Sequence, residues 1–238
     1  MASRASQARA TGVPLTKIAV GLMLGKKLGE LASLTGGRTS GVLPVPQFFV
    51  KSPVFPFGKF PGVDPALGPE MRSTGEVMGV GENFGEAFAK AQLSAGTPLP
   101  DKGTLFVSVN EGDKGGAVEV ARAFAEHGFQ IAATRGTAAV LRAAGIETKT
   151  VLKVNEGRPN AVDMLKAGSI KLVIYTTTGG HTFSDEKAIR RTALAHRIPC
   201  ITTMSGARAA AEAIASRRRD PIRVWSLQEI HAREGVKA

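Results

Sequence analysis

The second half of this 238-residue chain predicts an α/β domain of three layers, built on a parallel sheet of about five strands. Two observations carry that expectation. From Gly103 onward, short apolar runs alternate regularly with helical patterns, and strands separated by helices pair in parallel through right-handed crossovers. Within that alternation, Ile131-Ala132-Ala133-Thr134-Arg135-Gly136-Thr137 reads as the end of a buried strand, a tight turn, and a helix beginning at Thr137. The first half lacks this regularity. The boundary falls near residue 100, giving an incomplete unit of mixed α+β structure over residues 1–100 and the α/β domain over 101–238.

Residues 12–35 carry helical spacing, with Leu15, Ile18, Ala19, Leu22 and Leu28 near one face and Pro14 suited to a first turn. Gly21 and Gly25 weaken that helix as an isolated unit. Residues 42–60 are apolar but interrupted by Pro44, Pro46, Pro53 and Pro56, which fits edge strands or an extended crossing segment. Residues 59–79 are dense in turn formers and predict a loop held by its neighbours. Asn83–Ser94 predicts a helix with Phe84, Ala87, Phe88 and Ala91 on one side, followed by a linker over 95–102. The strands expected next are Thr104–Val109, Phe129–Ala133, Thr148–Val154, Leu172–Tyr175 and Cys200–Thr203, with a last short one at Arg223–Trp225. The intervening helices are Gly115–His127, Thr137–Ala144, Asn160–Lys166, Asp185–His196 and Ser205–Ser216.

Composition narrows the function. The net charge is +11, but residues 1–60 hold eight basic residues and a single acid, Glu30, so most of the excess is local. A general basic face for nucleic acid is not required, and 5% aromatic content offers little for base stacking. Cys200 is the only cysteine, which excludes an intramolecular disulfide and a cysteine-rich metal site and fits a reducing, cytoplasmic setting. Its ordinary reading is a small buried hydrophobe at a strand end. The apolar stretches, such as Ile18–Leu24, are too short to span a bilayer. The Ser/Ala/Arg-rich start over 1–11 resembles a transit peptide in composition.

Ligands of parallel α/β sheets bind at the C-terminal strand ends. The ends here supply Ser108 with Asp113 and Lys114; Thr134, Arg135, Gly136 and Thr137; Lys153 with Glu156 and Arg158; Thr176, Thr177, Thr178 and Gly179; and Thr202, Thr203 and Ser205. Hydroxyls and backbone N–H groups satisfy phosphate oxygens, glycines admit the backbone, and Lys114 and Lys153 balance the charge. Taken singly, each Ser or Thr is as well explained as a helix N-cap. Taken together, the set points to a phosphorylated small molecule. No residue is assigned a catalytic role. Glu111, Asp113, Glu156 and His181 are the possible acids or bases, and each reads as a solvated loop residue. No metal-ligand spacing stands out, and Gly112-Asp113-Lys114-Gly115-Gly116 lacks the spacing and hydroxyl of a P-loop.

The run Phe60-Pro61-Gly62-Val63-Asp64-Pro65-Ala66-Leu67-Gly68-Pro69-Glu70-Met71-Arg72-Ser73-Thr74-Gly75-Glu76-Val77-Met78-Gly79 resembles the large subunit of carbamoyl phosphate synthase, at the tail of its second ATP-grasp half. Residues 10–17, Ala-Thr-Gly-Val-Pro-Leu-Thr-Lys, resemble a helix start in the same family, which competes with the transit-peptide reading. Residues 103–238 are similar to the family's C-terminal domain, a methylglyoxal synthase-like, flavodoxin-like fold.

The resemblance implies the C-terminal part of a glutamine-dependent synthase that makes carbamoyl phosphate for pyrimidine and arginine biosynthesis. The complete family enzyme uses ATP with Mg or Mn, but those sites and the bicarbonate site would lie upstream, so this chain binds none of them itself and is expected to be inactive alone. Its implied partners are the remainder of the large subunit, the glutaminase small subunit and a nucleotide effector, UMP or IMP, in an oligomeric enzyme without nucleic-acid or membrane contacts. The family's phosphate-binding positions match Lys114, Thr134, Thr137 and Lys153, with Ser108 beside them, and Thr176 and Thr177 match nucleoside-side positions. An asparagine next to these in well-known members is Tyr175 here, which implies altered ribose or base contacts. The family's ornithine site matches poorly, since one glutamate falls at Ser52 and its tyrosine at Cys200, and no ornithine activation is expected. The alternative is a lyase similar to methylglyoxal synthase acting on dihydroxyacetone phosphate. It needs the same phosphate cradle plus a carboxylate base over the substrate carbon.

Overall fold

The computed structural model describes residues 4–38, 40, 47–54, 75–176 and 183–233. Its centre is a five-stranded, wholly parallel sheet of β3 (Thr104–Ser108), β4 (Gln130–Thr134), β5 (Thr148–Val151), β6 (Ile170–Tyr175) and β7 (Cys200–Ile201), in the order β5-β4-β3-β6-β7. The chain runs outward from β3 through β4 to β5, then returns to the other side of β3 as β6. That reversal opens a crevice between β3 and β6 at the C-terminal edge. Alternate strand residues feed two cores. Leu105, Val107, Ile131, Ala133, Leu172 and Ile174 pack with α4 (Lys114–Glu126), α5 (Arg135–Ala143) and α8 (Met204–Arg219). Phe106, Ala132, Val173 and Tyr175 pack with α6 (Ala161–Lys166) and α7 (Phe183–Ala195) on the opposite face. The three-layer expectation therefore holds, because the central strands β3, β4 and β6 are apolar on both faces and need a helix on each.

Preceding the sheet are α1 (Arg4–Thr11), α2 (Leu15–Met23), a 3-10 helix (Leu28–Thr35), an antiparallel pair of β1 (Phe48–Val54) with β2 (Gly75–Gly81), and α3 (Phe84–Ser94). Asn83 caps α3 by accepting from the Glu86 N–H at 2.9 Å. This helix joins the two halves. Its Ala89 lies in the same core as Leu105 and Phe124, and Gly85 touches α8 closely enough that a Cβ there would fall 2.6 Å from the Glu212 carbonyl. Ser216 donates to Asn83 Oδ1 at 2.9 Å across the same contact. The linker is tied down by Arg217, which donates to the Leu99 carbonyl and pairs with Asp101 at 2.6 Å, and by Arg218, which donates to the Asp101 carbonyl. Arg217 and Arg218 thus hold the linker from the last turn of α8.

Several expected elements differ. The helix over 12–35 is broken at Gly25, where φ is +87°, and resumes as the 3-10 helix; residues 4–11 form a helix of their own. The loop expected over 59–79 ends in strand β2, because Glu76, Val77 and Met78 find strand partners in β1 that local sequence does not announce; residues 55–74 lie outside the described part. Helix α5 begins at Arg135, two residues before the expected Thr137, with Thr134 as its N-cap residue. Strands β5 and β7 stop earlier than their apolar runs, at Val151 and Ile201. Residues 223–225 form no strand; they lie between α8 and α9 (Leu227–Arg233), where Trp225 packs under Lys90 with the Nζ 4.6 Å from its ring centroid. Among the described residues, no helix is long and apolar enough to cross a membrane.

Candidate functional site

At the crevice edge, β3, β4 and β6 deliver Ser108, Thr134 and Thr176 side by side. Ser108 Oγ lies 3.3 Å from Thr134 Oγ1, and Thr134 Oγ1 lies 3.4 Å from Thr137 Oγ1. The Val109 N–H points at Thr137 Oγ1 at 3.5 Å. On the other side, the Asn110 N–H donates to Thr176 Oγ1 at 3.1 Å and its side-chain amide to the same oxygen at 3.2 Å. These hydroxyls form the floor of a cavity of about 270 Å³, to which Lys114, Gly136, Lys153, Tyr175 and Asp185 also contribute. Phe106, Leu152, Val154 and Ile189 supply apolar wall.

The electrostatics favour an anion. Thr134, Arg135, Gly136 and Thr137 open α5, so the first backbone N–H groups of that helix have no intrahelical acceptor and carry its positive end. Lys114, the first residue of α4, extends toward the same point: a Cβ built on Gly136 would lie 3.8 Å from its Nζ. A cation held against a helix N-terminus is unfavourable until a negative group sits between them. In this structure the ammonium is paired with Glu111 Oε2 at 2.5 Å, and that carboxylate is 86% exposed. An anionic ligand therefore has to compete only with a solvent-facing partner. Lys153 is exposed at the rim, its main chain fixed by the Glu156 carboxylate accepting from its N–H at 3.0 Å.

Of the residues singled out by sequence, Ser108, Lys114, Thr134, Thr137, Lys153 and Thr176 converge on this one cavity. Thr177 and the possible acid or base His181 lie outside the described residues, and so do Thr178 and Gly179. Thr202, Thr203 and Ser205 do not line the cavity; Thr203 instead caps α8 by accepting from the Gly206 N–H at 3.1 Å. Arg158 does not line it either and pairs with Asp163. Glu111, Asp113 and Glu156 are occupied by Lys114, Asn110 and the Lys153 N–H respectively.

Two cavity residues escaped the sequence reading. Asn110, two positions past β3, fastens Thr176 and orients Asp113, accepting from the Asp113 N–H at 3.0 Å. Asp185 reads in sequence as an ordinary acid in the first turn of a helix, where it complements the helix dipole. In the fold it is only 7% exposed. Nothing local signals that burial, which arises because α7 packs against β6. The Tyr175 hydroxyl beside it is pushed above its usual range, first by burial and then by Glu186 and Asp185.

Cys200 ends up partly exposed rather than fully buried, on edge strand β7, with its side chain packed against the second core. Burial pushes its thiol up to about 11, opposed only partly by Arg190, so thiolate is scarce at neutral pH. Labelling by a soluble disulfide reagent is expected to be about a hundredfold slower in the native protein than in urea. Equal rates in both states would contradict that placement.

Residues 116–202 match the family of MGS-like domains. Over 231 residues the chain is 57% identical to the carbamoyl phosphate synthase large chain of Acidobacterium capsulatum, covering 96% of this chain and 21% of that one. It is 49% identical over 230 residues to the carbamoyl phosphate synthase large chain of Pseudomonas aeruginosa, covering 97% of this chain and 20% of that one. The protein of the same name from a Nostoc species is 49% identical over 221 residues, covering 93% of this chain and 20% of that one. The chain thus spans about a fifth of the length of the curated relatives it matches.

Proposed function

The chain belongs to the carbamoyl phosphate synthase large-chain family and carries its MGS-like domain, and from that premise we propose that residues 101–238 are an effector domain binding a nucleoside monophosphate, UMP or IMP. Residues 1–100 are then the tail of the adjoining ATP-grasp half. The observation that carries the reading is the meeting of Lys114, Lys153, three threonines and the α5 N-terminus around one cavity. That donor set suits a phosphate monoester dianion, and the apolar wall of Phe106 and Ile189 suits a flat ring. Effector binding here would control carbamoyl phosphate synthesis by an assembly with the rest of the large chain and a glutaminase subunit, and that assembly would hold the ATP and Mg. Ornithine is not an effector under this reading, because Ser52 and Cys200 offer an ammonium group no carboxylate.

Calorimetric titration tests the proposal. UMP or IMP is expected to bind the parent chain and to bind Lys153→Ala about tenfold more weakly, the loss of one hydrogen bond to a charged group. If neither nucleotide binds, or the substitution leaves affinity unchanged, the site assignment fails.

The second reading, a lyase acting on dihydroxyacetone phosphate, is favoured by one feature, the carboxylate of Asp185 in the cavity wall. A colorimetric assay for methylglyoxal separates the two. The effector reading expects no turnover above background, and robust turnover would replace it.

A further inference from the structure

The chain leaves α8 at Asp220 and doubles back over the unit that precedes the sheet. Residues 221–226 have no regular structure and lead into α9. They cover β2 and α3, meeting Met78, Val80, Lys90 and Leu93 around a cavity of about 220 Å³. One ion pair in that seat ties three elements together. The Glu86 carboxylate accepts from the Glu82 N–H just past β2 at 2.9 Å, from Lys90 at 2.7 Å, and from the Arg223 N–H. Lys90 also donates to the Val80 carbonyl at 2.7 Å and lies over the Trp225 ring. Both side chains of the pair are largely buried. Burial alone would raise the Glu86 carboxyl, but the hydrogen bonds from Lys90 and from the Glu82 and Arg223 N–H groups bring it below the usual carboxylate range. The rest of the segment is thinly anchored. Of residues 221–230 only Ile230 is buried, Val224 is 90% exposed, and the cavity leaves the seat incompletely filled. Helix α9 caps itself, with Glu229 accepting from the Ser226 N–H at 2.6 Å and Ser226 Oγ accepting from the Glu229 N–H at 3.2 Å. By contrast, α8 buries Ala207, Ala210, Ala213 and Ile214 in the main core.

We infer that residues 221–230 form a strap, rooted in the sheet domain and latched onto the preceding unit by Glu86 and Lys90, that opens as one piece while the sheet stays folded. Local opening is easiest where little apolar surface is buried and where the detached piece keeps its own hydrogen bonds. The strap meets both conditions, through its single buried residue and its self-capped helix. The latch is charged, and hydrogen bonds to a charged acceptor are the strong ones. Replacing that carboxylate by a neutral amide therefore weakens every bond it receives, including the one from the strap backbone. The consequence is mechanical. Closed, the strap adds a second tie between the two units beside the contact of α3 with α8. Open, it leaves that contact and the linker to hold them. This inference does not depend on what the effector cavity binds.

The test is urea titration of the full chain, followed by tryptophan fluorescence and by far-ultraviolet circular dichroism. Trp225 is the only tryptophan, so fluorescence reports the strap while dichroism reports the helices throughout. In the parent, the fluorescence transition is expected to precede the dichroism transition by about 1 M urea or more. Glu86→Gln is expected to lower the fluorescence midpoint further, by at least about 0.5 M, and to leave the dichroism midpoint in place. Lys90→Met removes the ammonium from the ring and keeps an apolar stem. It should shift fluorescence in the same direction, and it decides the matter if Glu86→Gln fails to fold. Coincident transitions in the parent overturn the inference whatever the variants do. Variants in which both midpoints fall together also overturn it, since that marks an ordinary packing contact. A fluorescence midpoint unchanged in every variant that folds overturns the assignment of the latch.

Discussion

Lys114→Ala is expected to weaken binding of UMP or IMP by about 10–100-fold, the magnitude of a lost hydrogen bond to a charged group of about 1.5–3 kcal/mol. The effect should exceed that of Lys153→Ala. Lys114 is partly buried and reaches the α5 N-terminus, whereas Lys153 is exposed at the rim. The substitution should leave the fold intact, because alanine is the best helix former and the turn before α4 is held by Asn110 accepting from the Asp113 N–H. A urea midpoint unchanged from the parent checks this. Glu111→Gln supplies a control of opposite sign. It releases Lys114 from its 2.5 Å pair and removes a negative charge near the phosphate. Binding should tighten by a few fold, in line with about 0.2–1 kcal/mol for an exposed pair. If Lys114→Ala binds either nucleotide as well as the parent, the cavity does not hold a phosphate in the proposed way.

Gly79→Ala is expected to destabilise the chain by about 3 kcal/mol or more, the upper range for overpacking. Gly79 lies in β2, where α3 crosses it so closely that a Cβ would sit 2.0 Å from the Ala87 carbonyl oxygen and 2.5 Å from the Ala91 nitrogen. Both are backbone atoms of a helix, so no side chain can swing aside. The strand and helix must separate, and α3 carries Ala89 into the main core and Gly85 onto α8. For a chain of this size the midpoint of thermal unfolding should fall by about 6–12 °C. Trp225, the only tryptophan, reports the same displacement through fluorescence, because Lys90 of α3 lies over its ring. An unchanged melting temperature would mean that β2 and α3 do not pack as described.

The alternation of strands and helices after Gly103 was legible because both signals are local. A strand apolar on both faces and a helix with one apolar face each leave a periodic trace. The gathering of cations and hydroxyls at one sheet edge was legible for a related reason. Parallel topology sends every strand's C-terminal end to one edge, so the residues after each strand are neighbours before any distance is known. The errors fell where long-range pairing decides. Glu76, Val77 and Met78 are surrounded by turn formers, yet they pair with Lys51, Ser52 and Pro53. Residues 223–225 look like a strand, but no sheet edge receives them, and Trp225 is taken up by Lys90.

By itself the sequence determined the fold class of residues 101–238, the edge at which a ligand would meet the sheet, and the cationic, hydroxyl-rich character of that edge. These depend on periodicity and chain topology, which are properties of the order of residues. Only the tertiary structure decided which hydroxyls meet. Ser108, Thr134, Thr137 and Thr176 share the crevice, while Thr203 caps α8 outside it. It also decided that Asp185 is buried in the cavity wall and that Lys114 hangs over Gly136. Burial and proximity follow from how α5 and α7 pack on the sheet, and packing couples residues far apart in the chain, where no local pattern records it.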